Sequence, residues 1–191
     1  MIARRLNLRH VRKPVGGFGA LYLDPPWAFV TYSSKGAVPQ RAPGQHYETM
    51  SEAELAAIPV ASLAAKDCAL FMWVIDTHLP QALRLVEAYG FTYRKLVFIW
   101  DKRAMSLGHW TRNEGEICIL ATRGRPKRLD KGVRQIHAEA RREHSRKPEE
   151  FRDRIERLVG GPYLELFGRQ ARPGWQIAGD QSTKFDTASE A

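Results

Sequence analysis

Cysteine is scarce: only Cys68 and Cys118 occur, both inside apolar, strand-like runs. They read as buried thiols in a reducing compartment, not as a disulfide framework. No Cys/His spacing resembles a zinc site, so His109, His137 and His144 are not persuasive ligands and no metal is expected. Apolar runs are far too short to cross a bilayer, and the Arg-rich start has no signal-peptide core. The expectation is a soluble, cytoplasmic protein with no membrane partner. A dinucleotide fingerprint is also missing: after Gly16-Gly17-Phe18-Gly19 the last required glycine is Tyr22. Acidic residues are in deficit, 21 against 30 Lys and Arg, for a net charge of +9 and a pI near 9.8. That imbalance favours a polyanionic partner.

With 191 residues and 43% hydrophobic content, the chain can bury one sizeable core. Residues 1–181 read as a single domain without repeats or linkers, with a basic arm over 1–15 and a disordered tail over 182–191. Ala28 to Tyr47 reads as a long polar loop placed like an active-site lid. Ser51-Glu52-Ala53-Glu54 is a capping box opening a short helix that Pro59 ends. Strands are expected at Asp67–Ile75, Phe91–Trp100, Glu116–Ala121, Tyr163–Phe167 and Gln176–Ala178. Between them fall a helix from Thr77 to Tyr89 closed by Gly90, and a second long loop from Lys102 to Asn113. Pro148 at a first helical position opens another helix, with Phe151, Ile155, Leu158 and Val159 as its buried stripe. Strands alternating with helices predict a Rossmann-like α/β sandwich.

The chain is organised around Ala20-Leu21-Tyr22-Leu23-Asp24-Pro25-Pro26-Trp27. The apolar run is a buried strand, and Pro25-Pro26 stop it because neither ring nitrogen can donate to a ladder. Asp24 therefore sits at the carboxyl end of a central strand, where open α/β sheets bind ligands. Pro26 holds Pro25 extended, which predicts a free Pro25 carbonyl. A carboxylate, a carbonyl and an indole in succession suit an adenine amine: two acceptors take its hydrogens while Trp27 stacks on the base. The plainer alternative is a strand-to-turn junction with a helix-capping Asp. Two basic clusters follow later in the chain. Arg123, Arg125, Lys127, Arg128, Lys131 and Arg134 form one, and Arg141, Arg142, Arg146 and Lys147 the other. Set beside loops of the site, they are candidates for phosphate contact.

Asp24-Pro25-Pro26-Trp27 resembles the motif of S-adenosylmethionine-dependent amino-methyltransferases. Taken with His46-Tyr47, Gly108-His109-Trp110, His144-Ser145-Arg146-Lys147-Pro148 and Glu165-Leu166-Phe167-Gly168-Arg169, it resembles the MT-A70 family of adenine-N(6) methyltransferases from about Gly19 to Gln181. The resemblance implies a class I methyltransferase αβα sandwich in circularly permuted motif order, catalytic strand first and cofactor strand near the end. It implies S-adenosyl-L-methionine as cofactor, with Lys147 on its methionine part and Glu165, Phe167, Arg169, Asp180 and Gln181, with Asp24, completing the site. Asp180 departs from the family's Gly-Asn-Gln, and a carboxylate there accepts but donates nothing. Substrate contacts fall to Trp27, Tyr32, His46, Tyr47, Trp110, Glu116, Arg141 and Arg142. His109 and Trp110 lie in a loop that some relatives use as a protein interface.

The expected reaction is in-line methyl transfer to the adenine amine, with Asp24, Pro25, Pro26 and Trp27 as the catalytic set. DNA is the favoured substrate because the chain is compact and carries no appended RNA-binding module. An RNA adenine methyltransferase, or a silent nucleic-acid-binding subunit, are the alternatives. The intact Asp24 motif speaks against the second. The sequence leaves the oligomeric state open, a homodimer included.

Overall fold

β1 (Phe18–Leu23) is central, and its side chains alternate between two cores. Leu21 and Leu23 point into one, Ala20 and Tyr22 into the other, as the two-residue period of a strand requires. β4 (Ala64–Val74) repeats the pattern, with Leu70, Met72 and Val74 on the first face and Ala69, Phe71 and Trp73 on the second. The computed structural model describes residues 6, 8–28, 31–33, 36–38, 49–106, 110–142, 146–179, 182–184 and 186. Among them the main sheet has seven strands in the order β7-β5-β6-β4-β1-β8-β9. The flanking strands are β5 (Thr92–Ser106), β6 (Asn113–Arg123), β7 (Ile136–Ala138), β8 (Tyr163–Leu166) and β9 (Trp175–Ala178).

Three short helices cover the first face: α1 (Glu52–Ala56), α2 (Val60–Leu63) and α3 (Leu79–Ala88). α4 (Glu150–Leu158) covers the second through Phe151 and Ile155. This is the αβα sandwich the sequence implies. The capping box forms in both directions between Ser51 and Glu54. Gly90 ends the α3 segment with φ 76, a left-handed conformation that only glycine adopts without strain.

Several boundaries differ from the sequence reading. The loop expected from Ala28 to Tyr47 contains a small hairpin of β2 (Thr31–Ser33) and β3 (Gly36–Val38). The loop expected from Lys102 to Asn113 is strand at both ends, since β5 runs to Ser106 and β6 begins at Asn113. Polar residues hid that extension, because it projects past the apolar core. Pro148 lies ahead of the helix, whose N-cap is Glu149. Arg152 and Arg154 are buried on α4, where periodicity marks polar residues as outward. Arg154 donates to the carbonyls of Arg134 and Ile136, and so ties β7 to the helix.

Strand direction sets where the loops go. β4 and β8 are both parallel to β1, whereas β6 is antiparallel to its neighbours β4 and β5. The β5–β6 turn therefore falls at the Asp24 end of the sheet, and the chain leaving β6 starts from the opposite end. Cys68 and Cys118 are free and buried, and burial pushes the Cys68 thiol up to about 12. No helix among the described residues is long and apolar enough to cross a membrane.

Candidate active site

β4, the next strand of the main sheet after β1, lies on one side of it and β8 on the other, which opens a crevice at their carboxyl ends. Asp24 stands at that crevice, its backbone N–H reaching the Leu166 carbonyl at 3.4 Å. The cleft there has about 390 Å³ of empty space, the open solvent at its mouth included. Tyr22, Asp24, Lys147, Glu165, Phe167 and Arg169 contribute to its lining.

The Asp-Pro-Pro-Trp turn is held rigidly. Trp27 N–H donates to the Pro25 carbonyl at 2.9 Å, and Met50 N–H to the Pro26 carbonyl at 2.8 Å. The sequence reading expects a free Pro25 carbonyl, and the structure corrects this: the carbonyl closes a three-residue turn. A carbonyl has two lone pairs, so one acceptor position remains. His78 Nε2 bonds the Ala28 carbonyl at 2.8 Å just beyond the motif. Trp27 also differs from expectation. Its ring is only 5% exposed, within the α1–α3 core, and Nε1 donates to the Trp73 carbonyl at 3.2 Å. An indole held this way braces the turn and offers no open face to a base.

Asp24 belongs to a chain of alternating charges. Lys147 Nζ lies 2.7 Å from Asp24 Oδ2 and 3.2 Å from Glu116 Oε2, and Lys102 Nζ lies 3.4 Å from Glu116 Oε1. The Lys147 ammonium also sits 5.4 Å from the centre of the Trp73 ring. Burial alone would lower the Lys147 pKa, but Asp24 and Glu116 outweigh it and raise it. Burial would likewise raise Glu116, yet the two lysines hold it below the usual carboxylate range. Trp73 Nε1 donates to the buried Tyr22 hydroxyl at 2.6 Å, which fixes the floor of the cleft.

On the β8 side, Glu165 Oε2 lies 2.6 Å from Arg152 Nη2, both side chains nearly fully buried. Burial pushes the Glu165 carboxyl up to about 7; Arg152 opposes the rise, and Glu149 and Asp24 add to it. Phe167 turns the chain with φ 65 and donates its N–H to the Ala178 carbonyl at 2.6 Å. Gly168 must be glycine, since a Cβ there would meet Ile177 Cγ2 at 2.5 Å. Arg152, Trp73 and Lys102 are site residues that sequence reasoning missed. Each acts through a partner distant in sequence, and only the Lys102–Glu116 pair, on adjacent antiparallel strands, left any local signal.

Of the remaining candidates, Arg141 and Arg142 follow β7 and are exposed, with Arg142 Nε 3.2 Å from Glu139 Oε1. Trp110 is 95% exposed in the β5–β6 turn, with φ 71, and does not line the cleft. Tyr32 lies in β2, where only the backbone is described. His46, Tyr47, His109, His144, Asp180 and Gln181 lie outside the described residues.

The sequence model of the MT-A70 family matches residues 18–181. The chain belongs to the MT-A70 family. It is 29% identical over 174 residues to the Type II methyltransferase M.MunI of Mycoplasma sp, covering 83% of this chain and 75% of that one. It is 32% identical over 190 residues to an N(6)-adenosine-methyltransferase MT-A70-like protein of Arabidopsis thaliana, covering 92% of this chain but 25% of that one. The human N(6)-adenosine-methyltransferase catalytic subunit METTL3 is 29% identical over 180 residues, covering 87% of this chain and 28% of METTL3. The chain thus spans only about a quarter of those two longer relatives. Methyl transfer to the N(6) amine of adenine, with S-adenosylmethionine as donor, is the chemistry of this family.

The cleft suits that donor. Glu165 would supply an acceptor for ribose hydroxyls, Lys147 and Arg169 cations for a carboxylate, and Phe167 an apolar edge. If Glu165 accepts from the ribose as a carboxylate, cofactor affinity should rise with pH through about 7. Stability should run the other way. A carboxyl with a folded pKa above its unfolded one binds the extra proton in the native state, so its contribution is lost as pH rises from about 4.5 through about 7. Calorimetric titration from pH 5.5 to 8.5 should give a curve that bends near 7 and is flat in Glu165→Gln. A flat wild-type curve would remove Glu165 from the ribose.

Proposed function

We propose that this chain methylates the N(6) amine of adenine in DNA, with Asp24 as the group that orients and activates the amine. The observation that carries the reading is the placement of Asp24 at the mouth of the Glu165–Phe167–Arg169 cleft, its charge fixed by Lys147. When bound, S-adenosylmethionine supplies a sulfonium methyl group open to in-line displacement. Asp24 accepts one amine hydrogen, and the second lone pair of the Pro25 carbonyl accepts the other. Drawing both hydrogens into acceptor bonds turns the nitrogen lone pair out of the ring plane. The carboxylate then stabilises the positive charge that develops on nitrogen, which the methylated amine discharges by losing one proton to solvent. Most of the rate comes from this fixed geometry, because the turn is already braced by Trp27, Met50 and His78.

Trp27 acts from beneath as a brace, and base stacking passes to residues of the segment between Ala28 and Thr49. Tyr32, His46 and Tyr47 are the candidates there. Lys147, Glu165, Phe167 and Arg169 hold the cofactor, with Asp180 and Gln181 closing over the ribose. Arg141 and Arg142 hold the backbone of the substrate at the site end of the sheet. DNA is favoured over RNA by coverage: the Type II methyltransferase is matched over 75% of its length. The relatives named for adenosine, a ribonucleoside, are matched over 25% and 28% of theirs. A cytoplasmic setting fits the two free, buried thiols. The test is labelled-methyl transfer to single-stranded DNA, duplex DNA and RNA of one sequence, with the product base identified by mass spectrometry. N(6)-methyladenine in DNA is expected. Product in RNA alone would pass the assignment to an RNA enzyme, and no product in any substrate would leave a silent binding subunit.

A further inference from the structure

The densest cationic stretch is not beside the site, contrary to the sequence reading. β6 is reversed, so Arg123, at its carboxyl end, pairs with Cys68 at the start of β4, the end of the sheet away from Asp24. The turn that follows is pinned there. Arg125 N–H donates to Asp67 Oδ1 at 2.7 Å, Arg123 Nη1 donates to the Ala61 carbonyl at 2.7 Å, and Gly124 has φ 62. Arg94 and Lys95, near the start of β5, join the same end, because Thr92 pairs with Thr122.

The cations here differ from those of the site and of α4. Near the site Lys102, Lys147 and Arg152 each lie against a carboxylate, and Arg154, Arg157 and Arg172 do so along α4. At the far end Lys66, Arg94, Lys95, Arg125, Lys127 and Arg128 are all exposed, and none forms an ion pair among the described residues. Asp67, at the same turn, accepts from the Arg125 backbone. From this end the chain climbs back toward the site. Leu129 N–H bonds the Leu158 carbonyl at the end of α4, Ile99 N–H bonds the Gln135 carbonyl, and Glu139 N–H bonds the Asp101 carbonyl. Lys127, Arg128, Lys131, Arg134, Arg141 and Arg142 mark that route.

We propose that this surface is a second nucleic-acid contact, a track for the phosphate backbone of duplex flanking the target base. It rests on the functional reading above and extends it from the site to the far end of the sheet. Unpaired cations on an anchored turn fit a continuous polyanion, which gains affinity by releasing condensed counterions. The strand residues separating Asp67 from the level of Asp24 span roughly 20 Å, about six base pairs of duplex. A flank shorter than that reaches the site without reaching the track.

The test is the full chain with Lys66, Lys95, Arg125, Lys127 and Arg128 all changed to Gln, compared with wild type on a 30-base-pair duplex across a salt series. The variant should lower the slope of log K against log salt by about 3 and weaken binding at least tenfold at low salt. Its thermal melt and its methyl transfer to a short single-stranded oligonucleotide should stay at wild-type values. In wild type, KM should also fall as flanks lengthen past about six base pairs, and in the variant it should not. An unchanged salt slope, or a wild-type KM indifferent to flank length, overturns the proposal. The binding arm needs no cofactor, so a wild-type protein that binds duplex but methylates nothing would sink the functional reading and leave this one standing.

Discussion

Asp24→Asn should lower kcat for methyl transfer by ~10²–10⁴-fold, the range for losing a positioned acceptor or electrostatic group. The change keeps the shape of the side chain and removes its charge. It also presents amide hydrogens to a substrate amine that itself donates, so an attraction becomes a donor facing a donor. Lys147 loses its shorter ion pair, 2.7 Å, and keeps the contact of 3.2 Å with Glu116. Affinity for the cofactor should change little, because Lys147, Glu165 and Arg169 remain in the cleft. Single-turnover transfer to an adenine-containing oligonucleotide, with cofactor affinity measured separately, reads both quantities. Full activity in the variant would sink the mechanism. Activity and cofactor binding lost together would make Asp24 a cofactor or folding residue.

Lys147→Met should be the most destabilising single change at the site, by about 3–5 kcal/mol, because it breaks a buried ion pair, strands Asp24 and leaves Glu116 with only the longer contact to Lys102. The Lys147 side chain is 9% exposed, and its ammonium is what separates Asp24 from Glu116. For a chain of this size that loss corresponds to a fall in Tm on the order of 10 °C. The sign with pH follows from Glu116, whose carboxyl the lysines hold below its ordinary value. A depressed carboxylate stabilises the fold above its unfolded pKa and loses that contribution as pH falls through the folded one. The gap between wild type and Lys147→Met should therefore be widest near neutrality and narrow in acid. Adding Glu116→Gln to the variant should recover part of the loss, since a carboxylate left with one cation instead of two disappears. A gap independent of pH, with no recovery, would mean that Lys147 contributes by packing alone.

The centre of the sheet was legible because β1 is buried on both faces, and the sequence writes that as an unbroken apolar run stopped by two prolines. The helices were legible through their caps and stripes. What was hidden depended on direction and on distant partners. Polar residues from Lys102 to Ser106 look like loop, so the long β5–β6 hairpin and the reversal of β6 went unseen. With them went the true place of Arg125 and its neighbours, which a basic run in sequence cannot orient. Arg152 reads as a solvent-facing helical position until Glu165, contributed by a different element, is set against it. Trp27 offers the chemistry of its ring in the sequence, while its neighbours in space use the ring to hold the backbone.

Strand order has a consequence for how the protein is made. β1 is the first strand of the main sheet to leave the ribosome, and of its two partners β8 is among the last. Until β8 emerges, one edge of the central strand has no ladder, and a bare apolar edge is what aggregates or captures a neighbour. Asp24 and Glu165 are brought together across the same gap, so the cofactor cleft has no partial form on a growing chain. The middle of this fold is begun first and closed last, and its long-range pairing makes folding slow compared with a chain of local contacts.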